Sequence, residues 1–142
     1  MTIGTTNRIK ARDELLELVN SVLQSQVSLI IWDSDTQDPP DGTVKWARVS
    51  VRHTDSEQAT LGSYNGQRRW RNMGLLFVQL FCPLGDGLSE EDRLAIELVN
   101  ALRGTTTASG VQLRNVRAQE AGPDGVWHQT NVVAEFEYDE LE

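Results

Sequence analysis

Apolar residues recur at mostly helical spacing from Asn7 to Leu23: Ile9, Leu15, Leu16, Leu18, Val19, Val22 and Leu23. Lys10, Arg12, Asp13, Glu14 and Glu17 fill much of the remainder, so the segment predicts an amphipathic helix with one side to bury. Thr6 or Asn7 suits its N-cap, where a side-chain oxygen accepts from the free amides of the first turn. The rhythm then changes. Val27–Trp32 is a short apolar run rich in β-branched residues and reads as a strand. Two prolines in Asp38-Pro39-Pro40-Asp41-Gly42 forbid helix across the Asp33–Gly42 loop and make it a rigid connector or an extended arm.

Strict alternation marks Thr43–His53 as a strand, with Ala47, Val49 and Val51 on one side and Arg48, Ser50 and Arg52 on the other. Asp55-Ser56 predicts a turn, and Gln58–Leu61 a further short strand. Tyr64–Asn72 is polar, basic and aromatic, and its Asn65-Gly66 pair is a turn signal because both residues tolerate positive φ. Met73–Cys82 is almost continuously apolar, as in a central strand covered on both faces, and Pro83 with Gly85-Asp86-Gly87 ends it.

A second helix is expected after Ser89 as N-cap. Glu90, Glu91 and Asp92 sit where the helix dipole favours acids, Leu94, Ala95, Leu98, Val99, Ala101 and Leu102 form its stripe, and Gly104 terminates it. Thr105–Gly110 is a flexible loop by composition. Val111–Gln119 and Val126–Tyr138 then predict an antiparallel hairpin about the turn Ala121–Gly125. The order α-β-β-β-β-α-β-β implies an α+β fold: a mostly antiparallel sheet of five to six strands with two helices packed on one face. No repeat or linker divides the chain, so residues 1–142 are expected to form one domain.

Composition narrows the function. Lys+Arg total 13 and Asp+Glu 21, a net charge of −8, in a chain that is 39% hydrophobic. Residues 1–71 hold nine basic and nine acidic residues, whereas 72–142 hold four and twelve, so the second half carries the whole excess. This balance disfavours a uniformly basic nucleic-acid binder. No apolar run approaches the ~20 residues needed to span a bilayer, and the polar Met1–Lys10 lacks a signal-peptide core, so a product that stays in the cytosol is expected.

Catalytic chemistry finds little support in the residues. His53 and His128 are the only histidines and Cys82 the only cysteine, with no metal-ligand spacing among them. No Gly-x-Ser-x-Gly elbow is present, and the Gly85-Asp86-Gly87 loop leads into an acidic first turn that would repel phosphate. Catalytic residues, metal and cofactor are therefore expected to be absent. A small hydrolase or ligand-binding domain would need a polar pocket joining His53 or His128 to acids. The paired acids Glu90 and Glu91 are accounted for by the helix dipole alone.

Two charged segments are the candidate interface. Arg68, Arg69, Trp70 and Arg71 can grip carboxylates or phosphates, or form a solvated loop. Glu135, Glu137, Asp139, Glu140 and Glu142 form an acidic tail, of which the first four are candidate interface residues. A basic loop and an acidic tail on one subunit suit a head-to-tail ring, which needs two different complementary surfaces.

The succession of motifs resembles the tail terminator-like proteins of long-tailed bacteriophages over about Arg8–Tyr138. It runs from an N-terminal helix through Pro39-Pro40-Asp41-Gly42 and the strand Trp46-Ala47-Arg48-Val49-Ser50-Val51 to the apolar strand Gly74–Phe81. Pro83-Leu84-Gly85-Asp86-Gly87 before a helix and the hairpin segment Asp124–Val132 complete it. The resemblance implies a structural, non-enzymatic minor tail protein. It would form a ring, usually a hexamer, on the end of the tail tube, stop tube polymerisation and present the head-joining surface. Its implied partners are itself, the tail tube protein and the head–tail connector protein, with DNA passing through without sequence-specific binding and no membrane. The implied location is the virion tail. A head–tail connector or completion protein of the neighbouring ring is the alternative within the virion.

Overall fold

A computed structural model describes residues 6–32, 35–40, 42–60, 67–85 and 88–141. The Asn65-Gly66 turn, the Asp86-Gly87 part of the glycine loop and Glu142 lie outside them. Helix α1 spans Arg8–Leu23, and Asn7 caps it by accepting from the Lys10 amide at 2.9 Å. Strand β1 (Leu29–Ile31) follows, then β2 (Trp46–Gln58) and β3 (Arg69–Pro83). Helix α2 (Ser89–Leu102) leads to the hairpin β4 (Gln112–Asp124) and β5 (Trp127–Leu141). The fold is α+β, with two helices and a five-stranded sheet in the order β1-β2-β3-β5-β4. Only β1 against β2 is parallel. No described helix is long and apolar enough to cross a membrane.

Several expected boundaries move. Asp55-Ser56 makes no turn and Gln58–Leu61 no separate strand. The register shifts between His53 and Asp55, and β2 continues along β3 as far as Gln58 opposite Trp70. The extra residue is absorbed as a bulge, which bends a strand without reversing it. Gly74 makes this bend possible. A Cβ there would stand 2.2 Å from the Arg52 carbonyl oxygen and 2.4 Å from Phe136 Cζ. Strand β1 is shorter than Val27–Trp32, and α2 begins one residue early. Ser89 is its first helical residue, and Leu88 occupies the cap position without a side-chain bond.

Thr105–Gly110, expected to be flexible, is tied down. The Glu14 carboxylate accepts from the Thr107 hydroxyl at 2.5 Å and from the Ser109 hydroxyl at 2.6 Å, while Thr106 bridges to Gln112. Burial alone would raise the Glu14 pKa. The hydroxyls of Ser109 and Thr107, the Ser109 amide and the charge of Lys10 outweigh it and hold the group below its ordinary value.

Ala11, Leu15, Val19 and Leu23 of α1 and Leu94, Ala95, Leu98, Val99 and Leu102 of α2 join one core. Their sheet partners are Ala47, Val49 and Val51 of β2, Leu76, Val78 and Leu80 of β3, and Val132, Ala134, Phe136 and Tyr138 of β5. Strand β3 is central, as its apolar run predicts, but it is not covered equally on both sides. Met73, Leu75, Phe77 and Gln79 alternate with the buried positions and are only half-buried. On that outer side Ile31, Trp46 and Phe81 form a second cluster, in which the Trp46 and Phe81 rings stack at 4.1 Å and Trp127 meets both edge-on.

Candidate functional site

The register of β3 decides where the basic segment goes. Arg69, Trp70 and Arg71 are not in a loop but form the first residues of β3, opposite Leu141, Glu140 and Asp139 of β5. Side chains two apart share a face, so Arg69 and Arg71 flank Asp139. Their Nε atoms lie 3.7 and 3.8 Å from its carboxylate, and Arg71 also reaches Glu57 on β2 at 3.8 Å. Trp70, half-buried, points to the other side between Gln58 and Glu140, and Asn72 donates to Glu140 at 3.4 Å. Arg68, just before the strand, is exposed.

The acidic tail also meets β4. Glu135 accepts from Asn115 at 2.8 Å and faces Arg117 at 3.8 Å, and Glu137 faces Arg114 at 3.5 Å. The structure therefore brings the two charged segments together within one chain, as a mixed-charge ladder on the outer side of the sheet. Ladder pairs at such exposure contribute about 0–1 kcal/mol each, so they order the surface more than they stabilise the fold.

Both histidines bond to neighbours the sequence does not advertise. His53 Nε2 lies 2.7 Å from the Tyr138 hydroxyl. Burial lowers the His53 pKa, and the charges of Arg8 and Arg12 lower it further. Burial, with the charge of Glu140, pushes Tyr138 up to about 12. The pair is thus neutral at ordinary pH, with an interior hydrogen bond between two uncharged rings.

His128 sits between two carboxylates. Its Nδ1 is 2.9 Å from both Glu91 oxygens, and its Nε2 is 3.3 Å from Glu120 on β4. Thr130 also donates its hydroxyl to Glu91. Glu91 is only 1% exposed, so more than the helix dipole places it in the first turn of α2. It faces inward and anchors that turn to β5. A carboxylate only accepts, so Nδ1 is assigned as the donor to Glu91. The arrangement has the acid and base of a hydrolytic site. Its one hydroxyl, that of Thr130, is spent on Glu91, so nothing in the trio is poised as a nucleophile. Among the described residues no group of His, Cys, Asp and Glu is placed to hold a metal ion. A signal for Glu91 exists in the sequence. It stands three, four and seven residues before Leu94, Ala95 and Leu98, on the apolar stripe itself.

A family model described as phage tail terminator protein matches residues 15–136, from within α1 to within β5. No curated protein matches. Among solved structures, one chain that is 16% identical superposes with a TM-score of 0.61, covering 95% of this chain and 92% of its own. At that identity the likeness concerns the fold.

Proposed function

Because the chain belongs to the phage tail terminator protein family, a family of structural tail proteins rather than enzymes, we propose that it assembles as a ring on the end of the tail tube. There it terminates tube polymerisation and presents the surface that joins the head. The family match carries this reading, since it runs from within α1 through α2 into β5 and takes in most of the core. The shared core of both helices supports a sheet covered by helices on one face, which leaves the outer side for contacts. A hexamer is the proposed copy number. The tail tube protein and the head–tail connector protein are the proposed partners, with assembly in the host cytoplasm.

The ladder end of β3 and β5 is the proposed contact region: Arg68, Arg69, Trp70 and Arg71 with Asp139 and Glu140, continued by Glu135 and Glu137. Its charges are largely balanced internally, so it meets a neighbouring subunit or tube protein as a polar, geometrically ordered rim rather than as a basic patch. The acidic surplus of the chain would repel DNA from any part of it that lines the channel, as passage without binding requires. Deletion of the gene tests the reading. Electron microscopy of tails made without the protein is expected to show overlong tubes. Tubes of normal length that lack heads would refute termination and assign the protein to the neighbouring connector ring.

A further inference from the structure

Alternation along β2 and β3 puts Ser50, Arg52, Leu75 and Phe77 on the side of the sheet away from the common core, where they line a cavity of about 340 Å³. Its floor is apolar, with Leu75 and Phe77 both half-buried, and Arg52 stands exposed at its rim. Arg48 lies two residues from Ser50 on the same side, its guanidinium 5.3 Å from the centre of the Trp46 ring. Neither arginine pairs with a carboxylate among the described residues. The neighbouring acids Glu135 and Glu137 are already engaged by Arg117 and Arg114. The result is an apolar recess edged by uncompensated positive charge.

The complementary surface is on α1. Ile9 is 73% exposed, and Asp13 and Glu17, four and eight residues on, are exposed as well. That spacing aligns all three along one stripe of the helix. The side chains of Asp13 and Glu17 enter no hydrogen bond or ion pair among the described residues. The long edge of the sheet offers no easier contact. Strand β4 breaks register at Arg114/Arg117 and at Glu120/Gly122, and it contains Pro123. Bulges, proline and charge are the features that block strand addition at an edge.

We infer that the α1 stripe of one copy of this chain seats on the outer sheet face of the next. Ile9 enters the recess over Leu75 and Phe77, and Asp13 and Glu17 face Arg52 and Arg48. The two surfaces are unlike, so the contact is heterologous and closes a ring when the rotation per subunit allows. The inference rests on the ring reading and specifies which surfaces close it.

The test is charge reversal read by sedimentation and native mass spectrometry of the purified chain, with circular dichroism reporting the fold. Arg48→Glu with Arg52→Glu, or Asp13→Lys with Glu17→Lys, is expected to weaken self-association by about tenfold or more. All four changes in one chain are expected to restore it. Chains carrying Ile9→Cys and chains carrying Ser50→Cys, mixed and oxidised, are expected to form a disulfide-linked pair, a readout that needs no charge change. Oligomers indifferent to both reversals, or no recovery in the fourfold variant, overturn this contact and leave the ring reading standing. A wild-type chain that stays monomeric at every concentration also overturns it. Termination is tested separately and falls if tails made without the protein keep their normal length.

Discussion

Glu91→Ala is the sharpest test of the interior. The side chain is almost fully buried, and its carboxylate holds His128 Nδ1 at 2.9 Å and the Thr130 hydroxyl. Truncation leaves both donors without an acceptor and opens a void at the first turn of α2. Each stranded buried donor costs about 1–3 kcal/mol, and the void left by the side chain adds to that. A loss of about 3–5 kcal/mol is therefore expected, a large part of a marginal stability of about 5–15 kcal/mol. Urea unfolding followed by circular dichroism measures it, from the midpoint at unchanged slope. His128→Ala made in the Glu91→Ala background should cost at least about 1.5 kcal/mol less than in the wild type, since partners in one network do not add. The neighbouring Glu90 binds Lys45 and Arg93 at the surface, so Glu90→Ala should barely move the midpoint. If Glu91→Ala loses less than about 1 kcal/mol, or adds simply to His128→Ala, the network does not anchor α2 and the reasoning fails.

Gly74→Ala should destabilise by about 1–3 kcal/mol or more, as overpacking does. The new Cβ meets the Arg52 carbonyl and the Phe136 ring at once; a melting temperature equal to the wild type would contradict the close approach. His53 has a native pKa below its unfolded value of about 6.5, so the unfolded chain takes up its proton first as pH falls. Stability is fully present above about pH 6.5 and declines below it through the native pKa. His53→Gln should flatten that decline in unfolding midpoints measured from pH 7 to 5, and an unchanged profile would remove His53 as its source. Replacing Arg68, Arg69 and Arg71 together by Ala removes only surface pairs worth about 0–1 kcal/mol each. The chain should stay folded yet fail to cap tubes in complementation, and capping at wild-type levels would remove these residues from the contact.

What the sequence discloses is what neighbours along the chain decide. Asn7 caps α1 as expected, because the capping bond spans three residues. Gly104 follows α2 at φ 71°, a backbone state glycine reaches without a Cβ penalty. The inward set of β2 follows from alternation alone. The larger misreadings turn on pairings distant in sequence. Asp55-Ser56 has turn residues, yet β3 opposite holds the chain extended, and the surplus residue becomes a bulge. Thr105–Gly110 has the composition of a flexible loop, but Glu14, more than ninety positions earlier, supplies the acceptor that orders it. Glu91 looks like one more acid at a helix start, and only its place on the apolar stripe hints at a buried partner, which β5 supplies.

The charge asymmetry shows how such distance alters a functional argument. Read linearly, a neutral first half and an acidic second half look like two surfaces waiting for each other on different subunits. In the fold, β3 and β5 run side by side, so Arg69 and Arg71 meet Asp139 on the same chain, and Arg114 and Arg117 meet Glu137 and Glu135. Charges already paired at 3.5 to 3.8 Å contribute little new attraction to a partner, because a second ion pair must first weaken the one in place. Attraction between copies then has to come from charges the fold leaves without a carboxylate or a cation. Arg48 and Arg52 on β2 and Asp13 and Glu17 on α1 meet that condition, and all four lie in residues 1–71, the half whose basic and acidic counts are equal. The charges of the proposed head-to-tail contact therefore come from the balanced half, while Leu75 and Phe77 of the acidic half floor the recess between them.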